Sequence, residues 1–268
     1  VSKLVLGATA ASAAAALLMR RIWLRSVRDP KLEDWAKRWA AGRTGFHRAH
    51  VNEILTKHGE RFFRSEGQLP GAWVVVPLCG KTVDMPFLAH DLKLRVLGIE
   101  GVQKAITDFF AEQELPYSVT TVDGLPVYSA LDGRLRVVHA NLFDPRLGAP
   151  AVQRQLFEDE APGQHRYVYD RASVVAVNPE DRPTYVRSVA ALAGPKARWL
   201  MATLEYDPSQ MSGPPFSVVE QDMRALLARE VQPESIQLLE DEDAMNDRAR
   251  HTWGLTSLRQ KLLAITLR

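Results

Sequence analysis

The chain has 268 residues, of which 46% are hydrophobic and 25% charged. These are ordinary globular values for one full core, and they exclude disordered, collagen-like and coiled-coil architectures. Net charge is +2, but residues 1–31 hold six basic residues against one acidic one, so the remaining 237 carry −3 and offer no electrostatic footprint for nucleic acid.

The pass along the chain begins with Leu4 to Met19, uncharged over 16 residues and followed by Arg20, Arg21, Arg25 and Arg28. As a helix it spans roughly 24 Å, short of the roughly 30 Å hydrocarbon core. Ile22, Trp23 and Leu24 extend it if the two arginines snorkel. A membrane anchor at residues 1–28 is the preferred reading, with the large domain facing the cytoplasm from the endoplasmic reticulum or outer mitochondrial membrane. A cleaved targeting peptide, leaving a cytoplasmic or mitochondrial-matrix protein, is the alternative, and a helix packed on the domain is the plain one.

Residues 29–268 read as one domain. Leu32–Ala41 and Thr44–Phe62 show helical spacing, with Trp35 and Trp39 on one face of the first. Trp73–Leu78 is a continuous apolar run of the kind covered on both faces of a sheet. A helix over 81–90, a strand at Arg95–Glu100 and an amphipathic helix through Val102 and Phe110 follow. Further strands are expected at Leu135–Leu142, Tyr167–Asp170, Arg198–Leu204, Ser235–Leu239 and Leu262–Leu267, with helices at Glu180–Leu192 and Val218–Arg229. The acidic run 240–243 reads as a solvated loop. Alternation of strand and helix predicts a doubly wound α/β sheet.

Ligands of such sheets bind at the carboxyl ends of the strands. Pro77-Leu78-Cys79-Gly80-Lys81 is a turn entering a helix, and Glu100 ends the next strand 20 residues after Gly80. That spacing places a carboxylate to accept hydrogen bonds from ribose hydroxyls. The turn lacks the G-x-G-x-x-G that a pyrophosphate needs, and no Walker motif occurs, so a phosphate-free adenosine cofactor suits it better. Neither G-x-S-x-G nor H-E-x-x-H is present, and no metal site is expected. Cys79, the single cysteine, rules out a disulfide framework and reads as a small side chain in the turn rather than a nucleophile. His47 and His50 read as solvated or capping residues.

The segments Leu32-Glu33-Asp34-Trp35, Gly42 through His47, Pro77 through Lys81, Gly98-Ile99-Glu100, Asp170-Arg171-Ala172, Val177-Asn178-Pro179, Tyr206-Asp207-Pro208, Gly213 through Phe216 and Trp253-Gly254 together resemble the thiopurine S-methyltransferase family, in family order from about residue 32 onward. The resemblance implies a class I methyltransferase fold with a mostly parallel seven-stranded sheet, N-terminal helices covering the cofactor, and methyl transfer from S-adenosyl-L-methionine to a thiol or thione sulfur of an aromatic or heterocyclic acceptor. It also implies a monomer whose partner is a small-molecule thiol.

Carried over by motif, Trp35, Trp39, Phe46, Leu78, Gly80, Glu100, Asn141, Leu142 and Arg171 would hold the cofactor. Phe46, Arg171, Pro215 and Arg248 or Arg250 would face the acceptor, with Arg171 also catalytic. By helical spacing alone, Trp39 is a core residue. A halide, thiocyanate or selenol methyltransferase on the same fold, and a membrane-tethered S-adenosylmethionine-binding protein without turnover, are the alternatives.

Overall fold

The computed structural model describes residues 30–64, 71–158, 160–161 and 164–268. The expected anchor at 1–28 lies outside them. Among the described residues no helix is long and apolar enough to cross a membrane.

Nine strands form one sheet: β1 (Trp73–Pro77), β2 (Arg95–Glu100), β3 (Ser118–Val122), β4 (Leu125–Ala130), β5 (Leu135–His139), β6 (Tyr167–Arg171), β7 (Arg198–Glu205), β8 (Ser235–Asp243) and β9 (Arg259–Thr266). Their order is β3-β4-β5-β2-β1-β6-β7-β9-β8. The central five, β5 to β7, run parallel. β9 joins β7 antiparallel and β8 joins β9 antiparallel.

Side chains alternate across this sheet. Trp73 and Val75 enter one core layer with helices α5 (Pro150–Leu156), α6 (Arg182–Ala193) and α7 (Glu220–Glu230). Val74 and Val76 enter the other, with α2 (Glu60–Phe63), α3 (Asp84–His90) and α4 (Gln103–Glu112). Both faces of β1 are therefore dry, which is why its sequence is apolar throughout. Helix α1 (Pro30–Ala40) starts on proline, whose missing N–H costs nothing at a first turn, and lies beside α4.

Four expectations change. The sheet has nine strands, not seven, because β3 and β4 add an antiparallel hairpin beside β5. Its turn is Asp123-Gly124, both at positive φ, as a two-residue hairpin turn demands. The helix expected over 44–62 forms only from about residue 53. Gly42 at φ 65 breaks the chain after α1, and the Asn52 side chain restarts it by accepting the Ile54 N–H at 3.0 Å. Helix α5 lacks a long amphipathic pattern and was not anticipated. The acidic run 240–243 is not a loop but the end of β8, with Asp241 facing Lys261 and Asp243 facing Arg259 across the ladder. Cross-strand cations neutralise it: Arg259 donates to Asp241 at 2.9 Å.

Gly98, on central β2, has no room for a side chain. A Cβ there would sit 2.7 Å from Cys79 Sγ and 3.0 Å from Met85 Sδ. Gly98→Val is expected to cost about 2–3 kcal/mol by overpacking, read as a lower denaturant midpoint at unchanged m-value.

Candidate functional site

The β1 turn is built around Glu100. Leu78 and Gly80 take positive φ, which turns the chain sharply out of the strand. The Gly80 N–H then donates to Glu100 Oε2 at 2.8 Å, and the Val102 N–H donates to Oε1 at 2.7 Å. The carboxylate thus ties the first turn to the start of α4. Each of its oxygens keeps a further lone pair for a ligand hydroxyl. Burial pushes the Glu100 carboxyl above its usual range, while the backbone donors pull the other way. Cys79 packs against Gly98 in the core, and burial raises its thiol well above normal, so it is an inert packing residue.

An aromatic cover lies over this turn. Phe46 meets Trp35 and Trp39 edge-on, each at 5.7 Å between ring centroids. Trp39 is only 3% exposed and packs with Val102 and Ala105. Its ring would stand 3.3 Å from a Cβ on Gly80. It therefore braces the turn and the Phe46 ring from the core side, while Trp35 is partly open and Phe46 is 40% exposed. Leu32 crowds Gly101 so closely that a Cβ there would lie 2.6 Å from it.

Asn141 and Leu142 follow β5, whose His139 is in register with Glu100. The Asn141 side chain accepts the Phe143 N–H at 2.9 Å, which shapes the loop. Leu142 is 2% exposed, so its side chain is core rather than open to a ligand. A cleft of about 320 Å³ opens between Leu32 and Ala36 of α1 and Gly101–Lys104, with His139 in its wall.

Arg171 ends β6, beside β1, and is half-buried. Its guanidinium has no hydrogen-bond or ion-pair partner among the described residues. The preceding Asp170 is fully engaged inward: it accepts from Ser173 and Val174 N–H, both at 3.1 Å, and from the Tyr185 hydroxyl at 2.7 Å. Asp170 therefore does not pair with Arg171; it locks the loop that follows. Burial raises the Asp170 carboxyl to about 6 despite those donors. A folded-state value above the unfolded one means that stability from this group is present at low pH and lost as pH rises from about 4 to about 6. Asp170→Asn removes that loss. Its melting temperature relative to the parent is expected to shift in its favour between pH 4 and pH 7, and a pH-independent difference would overturn this reading.

The Arg248 guanidinium donates to the Gly45 carbonyl, next to Phe46, and stacks over Trp253 at 5.1 Å. Arg250 is exposed and makes no such side-chain contact, so Arg248 is the arginine brought to the Phe46 loop. The Pro215 carbonyl accepts the Tyr206 hydroxyl at 2.6 Å, and Phe216 N–H bonds the Val175 carbonyl at 2.7 Å, fixing the 213–216 turn beside the loop after β6. Of the expected residues, Leu78 and Gly80 join Glu100, and Trp35, Trp39 and Phe46 form the cover with Arg248, while Asn141 and Leu142 after β5, Arg171 at the end of β6 and Pro215 in the 213–216 turn stand on separate segments. Sequence reasoning gave no site role to Leu32, although it opens one of the resembling segments; its side chain packs against Gly101 at the end of β2.

The doubly wound sheet, with its carboxylate-tied turn at the switch point, has the fold of class I S-adenosylmethionine-dependent methyltransferases. Solved structures with this fold include 1,6-didemethyltoxoflavin-N1-methyltransferase of Burkholderia thailandensis, at TM-score 0.53 and 14% identity over 88% of this chain and 86% of that one. Another is geranyl diphosphate C-methyltransferase of Streptomyces coelicolor, at TM-score 0.52 and 12% identity over 90% and 100%. The chain belongs to the thiopurine S-methyltransferase family, whose model matches residues 30–268. A probable thiopurine S-methyltransferase of Danio rerio is 33% identical, covering 88% of this chain and 94% of its own. The thiopurine S-methyltransferase of Bos taurus is 32% identical over 88% and 89%.

Proposed function

We propose that this protein methylates the thiol or thione sulfur of aromatic or heterocyclic acceptors. When bound, S-adenosylmethionine supplies an electrophilic methyl group on a sulfonium. The observation that carries the reading is Glu100, buried, tied by Gly80 and Val102, and still able to accept at both oxygens. Those residues suit a ribose. The backbone at Asn141–Leu142 and the cleft beside His139 suit an adenine, and the Leu78–Gly80 turn suits the amino-acid end.

The motifs that carry the family resemblance support Phe46, Pro215 and Arg171 as the residues that face the acceptor. Phe46 offers a flat apolar face, and the Arg171 guanidinium favours the anionic form of a heteroaromatic thiol. Alignment of the two sulfur centres then does most of the work, since well-oriented intramolecular reactions gain up to about 7–11 kcal/mol. An aromatic platform favours a ring over a small anion, which sets this reading ahead of halide or thiocyanate methylation. Incubation with labelled S-adenosylmethionine and a panel of aryl thiols, thiopurines, thiocyanate and selenols tests it. Labelled aromatic thioethers are the expected products; labelling of thiocyanate alone, or of nothing, would overturn it.

The methyltransferase domain spans 29–268 and acts as a monomer. The apolar run Leu4–Met19 with its trailing arginines supports an N-terminal membrane anchor with the domain on the cytoplasmic side. Deleting residues 1–28 is expected to move the protein from the membrane pellet to the supernatant with methyl transfer intact, and continued pelleting would count against an anchor.

A further inference from the structure

Asp84 opens α3, just past the Leu78–Gly80 turn, and is 2% exposed. A carboxylate so buried is costly unless its oxygens are bonded. Both are, and to two different segments. Oδ1 accepts the Asn52 N–H at 2.8 Å, and Oδ2 accepts the Tyr169 hydroxyl at 3.1 Å. Tyr169 lies inside β6 and is itself buried. Burial first, and the Asp84 charge after it, push the Tyr169 phenol well above its usual range, so it stays a donor.

Each of those segments carries a residue of the site. Phe46 lies in the irregular stretch 41–50 that leads to Asn52. Arg248 anchors that stretch upstream of Phe46, at the Gly45 carbonyl, and Asp84 anchors it downstream, at the Asn52 N–H. The Phe46 ring therefore rides between two fixed points. On β6, Tyr169 and Arg171 are two residues apart, so their side chains leave the same face of the sheet. That face is the layer in which Tyr169 packs with Val51, Ile54, Leu55 and Met85. Arg171 thus emerges on the side of the sheet where the end of the Phe46 segment is seated, about 7 Å along the strand from Tyr169.

We propose that Asp84 is a positioning residue for the acceptor, which sets the spacing between the Phe46 ring and the Arg171 guanidinium by tying their two segments together. This rests on the S-methyltransferase reading above, in which those side chains face the acceptor. A spacing fixed from both sides selects by shape. It suits a flat aryl or heteroaryl thiol, which must seat its ring on Phe46 and its sulfur near Arg171 at once. An alkyl thiol has no ring to seat and depends less on the width. The cofactor side hangs on separate bonds, from the Gly80 and Val102 N–H groups to Glu100, which Asp84 does not touch.

The test compares Asp84→Ala, Asp84→Asn and Tyr169→Phe for kcat/KM on an aryl thiol and on an alkyl thiol. Titration calorimetry reads cofactor affinity, and thermal melting checks folding. In Asp84→Ala, kcat/KM for the aryl thiol is expected to fall by about 10²-fold, the scale of a misplacement of about 1 Å. The alkyl thiol should lose far less, and the cofactor dissociation constant should stay close to the parent's. Asp84→Asn keeps an oxygen for the Asn52 N–H and offers its NH₂ to the Tyr169 oxygen, so it should recover most of the loss. Tyr169→Phe frees the β6 arm alone and should lose part of the aryl preference, which keeps the test open if Asp84→Ala does not fold. A purely structural Asp84 would lower the melting temperature and weaken both thiols and the cofactor together. Equal losses on the two thiols, a matching loss of cofactor affinity, Asp84→Asn no better than Asp84→Ala, or an undiminished aryl preference in Tyr169→Phe would overturn the positioning role and leave S-methylation standing. A parent protein that methylates no thiol would overturn both.

Discussion

Glu100→Gln is expected to weaken S-adenosylmethionine binding by about 10²-fold, because hydrogen bonds to a charged group are worth about 1.5–3 kcal/mol each and a ribose offers two. The amide cannot replace the carboxylate here. Both oxygens of Glu100 already face backbone donors, the Gly80 N–H at 2.8 Å and the Val102 N–H at 2.7 Å. A glutamine must point its NH₂ at one of them, leaving two donors opposed in a buried site, which adds about 1–3 kcal/mol of destabilisation. The variant should therefore melt earlier and bind less. Titration calorimetry at a temperature where the variant is folded separates the two effects. A dissociation constant within threefold of the parent would remove Glu100 from the ribose site.

The same burial gives the pH dependence a sign. Burial lifts the Glu100 carboxyl above an ordinary glutamate, and its ionised form is the better hydroxyl acceptor. Cofactor affinity should then decline on acidification at a higher pH than a solvent-exposed glutamate would cause. Folding stability runs the opposite way for this group. The folded state holds the proton more tightly than the unfolded chain, so ionisation as pH rises costs stability.

What the sequence made legible follows from how strongly each element is buried. β1 and β2 are dry on both faces, so WVVVP and RVLGIE had no other reading. β3 is exposed along four of its five residues and reads as polar chain, although Asp123-Gly124 carried a hairpin signal that the apolar pattern did not prompt. The acidic end of β8 reads as solvent-facing loop because its neutralising partners, Arg259 and Lys261, lie on a strand twenty residues away. The site divides in the same way. Glu100 was placed by its spacing from the β1 turn, and the ladder between β1 and β2 confirms that spacing as proximity. Trp39 was legible as core from its helical spacing, and the structure assigns it to bracing Gly80 rather than to open contact. The choice of Arg248 over Arg250 depends on a loop folding back across the sheet over 200 residues of chain, which no local pattern encodes.

Arg171→Ala is expected to leave the fold intact and to lower kcat/KM for heteroaromatic thiols by about 10- to 10²-fold, the scale of one or two hydrogen bonds to a charged group. The fold should tolerate the change because nothing in the described protein leans on the guanidinium. Asp170, its neighbour, holds the following loop through Ser173, Val174 and Tyr185 instead. Because the half-buried guanidinium makes no protein hydrogen bond among the described residues, its removal should leave the melting temperature close to the parent's. Structural and functional roles thus predict opposite patterns: a structural arginine would cost stability first, whereas an acceptor-binding one costs turnover alone. Arg171→Lys sharpens the distinction, since it keeps the charge but loses the planar fork. If the guanidinium contributes chiefly its field, lysine should recover most of the activity. If it grips the acceptor through paired N–H groups, lysine should stay near alanine. Unchanged kinetics in folded Arg171→Ala protein would take the residue out of the reaction.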